Sequence, residues 1–291
     1  MIKINRPDDS EPNELRSAAA RELRRNRIKK RNDENLTFSE YSKKYVKDAL
    51  NNIFKLKCAF CDSRLNGAGD IEHYRPKGKV YIKNGTVVEE KDGYYWLAAS
   101  WKNLLISCVD CNQRRSQLEE DGITWRVTGK GCFFPLVNED MRAAGPIGVS
   151  AEQPLLINPC VTDPEQHIRL LENGSIESMQ IHGNPSPQGV ATIEICGLKR
   201  LELLKSRAER AKIIKSAIRH IVRDLEEGRD PTEDLDDLII LLDSSAPYLA
   251  LARRLTRELL GPYISSLQLD QLLTTGVSVP GVVANHEIIE N

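Results

Sequence analysis

The chain has 291 residues, a formal net charge of −1 and 40% hydrophobic residues, which allows one large domain or two smaller ones. It contains no apolar run near the roughly 20 residues that span a membrane, and its start, MIKINRPDDSEPNE, lacks the apolar centre of a secretory signal. We therefore expect a cytoplasmic protein with no membrane segment. In that reducing compartment, seven cysteines favour metal binding or redox chemistry over structural disulfides.

Residues 1–54 form the first predicted segment, which is helical. Residues 12–32 have helix-forming composition and are rich in Lys and Arg. Thr37-Phe38-Ser39-Glu40 fits a capping box, which predicts a second helix that runs to Phe54. The basic stretch could contact nucleic acid, although charge alone favours an ordinary solvated helix face.

Residues 55–187 form the second predicted segment, which contains two CxxC pairs, CAFC and CVDC. Two thiolates on a tight turn span one edge of a zinc tetrahedron, and a second pair completes it. The pattern predicts a structural zinc site, with thioredoxin-type exchange as the weaker alternative. The predicted zinc ligands are Cys58, Cys61, Cys108 and Cys111. We expect the isolated Cys132, Cys160 and Cys196 to be buried, inert thiols.

Short strands are predicted around these pairs. KVYIKNGTVVEE alternates apolar and polar residues around Asn84-Gly85, which indicates a β-hairpin. Leu104-Leu105-Ile106 predicts a short strand packed beside the second pair. From Ser116 to about Pro164 we expect loops and further short strands.

Residues 188–291 form the third predicted segment. The spacing of apolar residues predicts helices over 189–227, 231–243 and 247–260, without a chemical motif. Residues 223–243 are acidic, which would suit a protein partner or simply mark a solvated face. The final residues, GVSVPGVVANHEIIEN, are expected to be a tail or a docking segment.

DIEHYRPK, residues 70–77, needs an explanation beyond the zinc site, because a closed four-thiolate site has no open position and needs no histidine. Together with CAFC, WKNLLISC and CVDCNQRR, it resembles the HNH endonuclease superfamily, whose active site is a strand–strand–helix unit around one divalent metal. The longer run, with YYWLAASW, CFFPL and QPLLINPC, resembles most closely the PtuB-like HNH nuclease subunit of Septu-type antiphage systems. The resemblance covers about residues 40–170.

The resemblance implies a role for each of four residues. His73 matches the general base, and Asn103 matches the asparagine that orients the catalytic loop. Glu72 and Asn112 match the ligands of a catalytic Mg²⁺ or Mn²⁺, although the family usually has Asp at the first position and many members have His at the last. Contacts to phosphate are assigned to Arg75, Lys77, Arg114 and Arg115, for which plain surface charge is the alternative.

The residue types themselves suit phosphodiester hydrolysis. Glu72 and Asn112 offer oxygen ligands, which favour a hard cation and leave zinc to the thiolates. Histidine, with an ordinary pKa of about 6.5, can accept a proton from water near neutral pH. Because adjacent strand residues point to opposite faces, Glu72 and His73 should need an irregular backbone to share one site.

The predicted fold is α+β, with a central ββα-metal (HNH) unit and a four-cysteine zinc knuckle between N-terminal helices and a C-terminal helical region. The resemblance implies an HNH endonuclease that hydrolyses nucleic acid, DNA first and RNA as the alternative substrate. It also implies an effector of antiphage defence with a PtuA-like ATPase as partner. The alternative function is a zinc-stabilised adaptor that binds nucleic acid or protein without cleaving it.

Overall fold

The structure is a computed structural model that describes residues 1–67, 69–84 and 87–275. Its α-helices are α1 (Asn13–Arg31), α2 (Lys44–Ile53), α3 (Val109–Asn112), α4 (Pro187–Ile195), α5 (Leu201–Glu226), α6 (Thr232–Leu242), α7 (Leu249–Leu259) and α8 (Ser266–Thr275). Its strands are β1 (Asp70–His73), β2 (Lys79–Asn84), β3 (Val87–Asp92), β4 (Leu104–Ser107), β5 (Arg115–Leu118), β6 (Trp125–Thr128), β7 (Ile168–Leu170), β8 (Ile176–Ser178), β9 (Gln180–Ile181) and β10 (Asn184–Pro185). Across the described residues, no helix has both the length and the apolar character needed to cross a bilayer.

The strands form small antiparallel sheets of two strands each. β1 pairs with β4, whereas β2 with β3, β5 with β6, β7 with β8 and β9 with β10 are sequence neighbours. The predicted hairpin is confirmed in its strands, where Asn84 lies opposite Val87. Gly85 of its predicted turn lies outside the described residues. Helices combined with small sheets confirm the mixed α and β composition of the predicted fold.

The chain before α2 is held by α1 rather than by a capping box. The backbone N–H groups of Ser39 and Glu40 donate to Oε2 of Glu22 at 2.7 and 3.1 Å. The helix α2 begins only at Lys44 and has no side-chain cap. The predicted capping box at residues 37–40 is therefore wrong, because both of its amides have other partners on α1. The N–H of Glu40 donates to the buried carboxylate of Glu22, and the N–H of Thr37 donates to Oδ1 of Asn26 at 3.1 Å.

The helical region at the carboxyl end is interrupted where one continuous helix is predicted. α4 ends at Ile195 and α5 begins at Leu201. Gly197 between them has a φ of 60°, and a Cβ there would lie 2.3 Å from Oγ1 of Thr128. The helix is therefore interrupted at Gly197 because the backbone there packs closely against Thr128 of β6. The spacing of apolar residues along a helix gives no sign of such a contact. The spacing also does not predict α8, and the expected tail, residues 276–291, lies outside the described residues.

One hydrophobic core includes side chains from all three predicted segments, among them Leu50, Ile106 and Leu251. The division at residues 54 and 187 stays a prediction. Asp62, directly after the first CxxC pair, accepts from the N–H of Leu249 at 2.9 Å and so caps the start of α7. This contact ties the loop of the first cysteine pair to the C-terminal helices.

Candidate metal centre and catalytic site

The four predicted zinc ligands lie together. The Sγ atoms of Cys58, Cys61, Cys108 and Cys111 all lie within 4.8 Å of one another. The first pair follows the end of α2, and the second pair lies at the start of α3, directly after β4. This four-cysteine cluster could hold a zinc ion, whose preferred ligands are thiolates in a tetrahedron. In the described part of the chain, no other group of three or more His, Cys, Asp or Glu side chains lies as close together.

A buried guanidinium lies beside the cluster. Nη1 of Arg200 is 3.5 Å from Sγ of Cys111, and Nη2 is 3.7 Å from Sγ of Cys108. Burial alone would lower the pKa of Arg200, but the neighbouring cysteine sulfurs outweigh it and raise the pKa overall. The positive charge would offset part of the net negative charge of four thiolates around one Zn²⁺. No motif in the sequence indicates this residue.

The three isolated cysteines differ in exposure. Cys196 is buried as predicted, whereas Cys132 and Cys160 are only half-buried. Burial raises the pKa of all three thiols. They are therefore held in the unreactive thiol form, as expected for inert cysteines.

The imidazole of His73 has a defined orientation. His73 ends β1, is 5% exposed, and its Nε2 lies 2.8 Å from the carbonyl oxygen of Ala98. Because a carbonyl can only accept, Nε2 carries the proton and Nδ1 is unprotonated. The ring of Tyr41 packs edge-on against the imidazole, with 4.5 Å between the ring centroids. His73 is therefore held with Nδ1 as its proton acceptor.

The surroundings of His73 keep it neutral. Burial, together with the ammonium of Lys77, lowers the pKa of His73 to about 3. Nζ of Lys77 lies 3.5 Å from Nδ1 of His73. The hydrogen bond to Ala98 acts in the opposite direction but is outweighed. The imidazole is therefore neutral at physiological pH, and a pKa so far below 7 makes it a weak base in the free protein.

Asn103 forms hydrogen bonds with the backbone that follows His73. Its Oδ1 accepts from the N–H of Arg75 at 2.8 Å, and its Nδ2 donates to the carbonyl oxygen of Arg75 at 3.0 Å. Its backbone carbonyl also accepts from the N–H of Tyr74 at 2.8 Å. These contacts are the ones that an orienting residue would need.

Glu72 lies in a buried ion pair. Its Oε1 is 2.5 Å from Nζ of Lys130, whose side chain is fully buried. Burial raises the pKa of Glu72, and the ammonium of Lys130 opposes that shift. Because His73 pairs regularly with Leu104 of β4, the irregular backbone expected between Glu72 and His73 is not found within β1. The regular strand predicts that the two side chains leave opposite faces.

Asn112 ends α3 and contacts β1 through Asp70. Its Nδ2 donates to Oδ2 of Asp70 at 3.2 Å, and Nε2 of Gln113 donates to the same oxygen at 3.2 Å. Asp70 and Glu72 are two residues apart on β1 and so share a face of the strand. Asn112 therefore lies on the face of β1 that carries Glu72.

Arg75 is held inside the protein. Its Nε lies 2.7 Å from Oε2 of Glu152, whose side chain is fully buried, and its guanidinium lies over the ring of Phe134 at 5.3 Å. The side chain of Arg75 is only 15% exposed. The contact of Arg75 with phosphate stays a prediction. In the structure Arg75 forms an ion pair with Glu152.

The other three predicted phosphate-binding residues reach the surface. Lys77 is half-buried, and its Nζ lies 4.4 Å from the ring centroid of Tyr41. Arg114 and Arg115 are exposed at the end of α3, and Arg115 pairs with Asp110 at 3.0 Å. An exposed pair of this kind is weak and can exchange for a phosphate.

Three similar curated proteins come from the Septu system, and no family model matches the chain. The Septu protein PtuB of Bacillus mycoides (strain KBAB4) is 37% identical over 185 residues, which are 63% of this chain and 56% of that protein. The Septu protein PtuA of the same strain is 27% identical over 162 residues, 55% of this chain and 20% of that protein. PtuB of Bacillus thuringiensis is 24% identical over 169 residues, 57% of this chain and 46% of that protein.

The chain spans about half the length of the PtuB proteins it matches and a fifth of the PtuA protein. The similarity therefore covers the larger part of this chain but not the whole of its relatives. Over that part, the chain is similar to the Septu protein PtuB.

Proposed function

We propose that this protein is a metal-dependent endonuclease of the HNH superfamily. The observation that carries the proposal is the fixed tautomer of His73, whose Nδ1 is a proton acceptor 3.5 Å from the ammonium of Lys77. The order β1, β4 and α3, in which α3 lies against β1, agrees with a strand–strand–helix unit. Zinc at the four cysteines would be structural in this proposal.

The residues around His73 suit the hydrolysis of a phosphodiester. Nδ1 would take a proton from the attacking water, and Lys77 would bind a phosphate oxygen next to it. Glu72 and Asn112 would hold Mg²⁺ or Mn²⁺, because a carboxylate and an amide oxygen fit a hard cation. That cation would stabilise the charge that builds on the phosphoryl group and on the leaving oxygen. Asn103 would keep the backbone after His73 in place.

Similarity to two Septu proteins supports a role in antiphage defence, which the resemblance to the PtuB-like nuclease subunit also implies. We propose a PtuA-like ATPase as the partner that restrains or triggers the nuclease. DNA is the proposed substrate, with RNA as the alternative, because phosphate contacts alone do not distinguish the two.

The test is a cleavage assay with plasmid DNA, single-stranded DNA and total RNA. Each substrate is incubated with and without Mg²⁺ and with and without a PtuA-like protein. We expect Mg²⁺-dependent cleavage that His73→Ala lowers by about 10²–10⁴-fold, since a general base contributes that much to the rate. His220→Ala, on the exposed side of α5, is the matched control and should cleave as the unchanged protein does. Cleavage by His73→Ala at the full rate would refute the proposed function.

A second candidate is a zinc-stabilised adaptor that binds nucleic acid or protein without cleaving it. The observation in its favour is the ion pair between Glu72 and Lys130, which occupies a proposed metal ligand. Binding of nucleic acid without hydrolysis under every metal and partner condition would favour the adaptor over the nuclease.

A further inference from the structure

The segment Gly129-Lys130-Gly131, here the Gly-Lys-Gly segment, lies against the end of α3. The N–H of Lys130 donates to the carbonyl oxygen of Cys111 at 2.8 Å. Gly129 has a φ of 105°, and a Cβ there would lie 2.0 Å from the carbonyl oxygen of Gln113. Only glycine combines this backbone conformation with so close an approach. The segment is thus built to hold Lys130 against the second cysteine pair.

The side chain of Lys130 extends from this segment to β1. Its Nζ lies 2.5 Å from Oε1 of Glu72 and 2.8 Å from the carbonyl oxygen of His73. Lys130 is fully buried, and Glu72 is 6% exposed. A buried ammonium needs a counter-charge, and Glu72 supplies it. Lys130 therefore contacts the four-cysteine cluster through its backbone N–H, and it contacts the two adjacent residues proposed for catalysis through its ammonium.

This contact changes the charge that a divalent cation would meet. Lys130 cancels the charge of Glu72, and Lys77 adds a positive charge on the His73 side. The amide of Asn112 is neutral. The carboxylate of Asp70, which accepts from Asn112, adds a second negative charge, so the carboxylates of Asp70 and Glu72 are balanced by the ammonium groups of Lys77 and Lys130. The oxygens of Glu72 and Asn112 therefore offer a divalent cation little net negative charge in the free protein. A bound phosphodiester would add the missing negative charge.

We propose that Lys130 is a positioning residue that makes tight binding of a divalent cation depend on bound nucleic acid. The inference rests on the proposed function and deepens it, since it adds a control on the same site. Lys130 would fix the carboxylate of Glu72 through Oε1, which leaves Oε2 for a cation. Lys130 would also prevent tight binding of a divalent cation before the nucleic acid substrate is bound.

The first test measures Mn²⁺ affinity of the zinc-loaded protein without nucleic acid, by electron paramagnetic resonance of free Mn²⁺. Lys130→Gln keeps a hydrogen-bond donor but removes the charge, so Mn²⁺ should bind about tenfold more tightly. Lys130→Arg should bind Mn²⁺ as the unchanged protein does. The control is Lys215→Met, which removes a lysine from the exposed Lys215–Glu172 pair and should have no effect. Equal affinities for Lys130→Gln and the unchanged protein would overturn the inference.

The second test leaves Lys130 in place, so it tests whether cation binding depends on nucleic acid even if Lys130→Gln does not fold. Mn²⁺ affinity is measured for the His73→Ala protein with and without a single-stranded DNA oligonucleotide, which this variant should leave intact. We expect DNA to tighten Mn²⁺ binding about tenfold. Equal affinities with and without DNA would refute the dependence on nucleic acid.

Failure of this inference differs from failure of the nuclease proposal. If Lys130→Gln and DNA both change the Mn²⁺ affinity but the protein never cleaves nucleic acid, the proposed role of Lys130 is supported and the proposed nuclease activity is refuted. If cleavage depends on Mg²⁺ but neither Lys130→Gln nor DNA changes the Mn²⁺ affinity, the proposed nuclease activity is supported and the proposed role of Lys130 is refuted.

Discussion

The burial of His73 makes the free energy of unfolding depend on pH, because burial changes the pKa of its imidazole. Its pKa is about 3 in the folded protein, where burial disfavours the charged form, and about 6.5 in an unfolded chain. Between these values the unfolded chain binds a proton that the folded chain does not. The contribution of His73 to stability is therefore complete above pH 6.5 and is lost as the pH falls toward 3.

We expect the free energy of unfolding to fall by up to about 1.4 kcal/mol per pH unit below pH 6.5 because of His73. Urea unfolding at several pH values measures this slope. His73→Gln does not titrate in this range and should show a shallower slope over the same pH values. Identical slopes for the two proteins would contradict the buried, neutral histidine.

Asn103 should matter to both stability and activity. Asn103→Ala leaves the N–H and the carbonyl of Arg75 without their side-chain partner, which should lower the free energy of unfolding by about 1–3 kcal/mol. Cleavage should slow as well, because the backbone beside His73 loses its support. Asn173→Ala removes hydrogen bonds of an exposed turn and is the control. Urea unfolding and the plasmid assay measure the two effects, and a variant as stable and active as the control would refute this role.

The sequence indicates the residues of the site better than it indicates their partners. The roles of Glu72, His73, Asn103 and Asn112 are implied by the resemblance to the HNH superfamily, position by position. Lys130 belongs to a loop outside the motifs of that resemblance, whereas Ala98 lies within YYWLAASW, but no local pattern assigns either residue as a partner of Glu72 or His73. The glycines on both sides of Lys130 are the one signal that could have drawn attention to it.

At the scale of elements, zinc should hold β4, α3 and the loop after α2 together. Cys108→Ser removes one of the four sulfur ligands at the start of α3. We expect loss of bound zinc and a drop in the free energy of unfolding of at least about 5 kcal/mol, because structural zinc contributes on the order of 10–16 kcal/mol in small domains. Metal content by mass spectrometry and thermal unfolding measure both.

Cys160→Ser is the control for this experiment, since Cys160 lies outside the cluster and should be replaceable. Full zinc occupancy and an unchanged Tm in Cys108→Ser would show that the cluster does not organise these elements.

Two helices follow from local sequence: α1 from helix-forming composition and α5 from the spacing of its apolar residues. They depart from it where a distant group intervenes. Glu22 and Asn26 of α1 accept from the two amides that the predicted capping box would use, and Thr128 packs where a continuous helix would place a side chain at position 197. Such contacts join residues far apart in the chain, so a pattern within one segment cannot reveal them.

At the scale of the whole molecule, α6 is the best candidate for a partner surface. Glu233, Asp236 and Asp237 are exposed on this helix. If α6 docks a PtuA-like protein through charge, Asp236→Lys with Asp237→Lys should weaken the complex about tenfold or more and reduce its salt dependence.

Calorimetry with the purified PtuA-like protein would measure this affinity. The control is Glu202→Lys with Glu209→Lys on α5, which makes the same charge change on other exposed positions. Equal effects of the two double variants would point to overall charge, and no effect of either would place the docking surface elsewhere.

The central claim is spatial: a zinc-bound frame carries a hard cation on oxygens of Glu72 and Asn112, and a phosphodiester bound at the end of β1 contacts both that cation and the imidazole of His73, whose side chain leaves the strand on the other face. X-ray diffraction from crystals of zinc-loaded His73→Ala protein with DNA and Mn²⁺, with anomalous data for both metals, tests it most directly. The account predicts zinc among the four sulfur atoms, and Mn²⁺ about 2.1 Å from oxygens of both Glu72 and Asn112. Mn²⁺ that contacts neither residue while DNA is bound would contradict it.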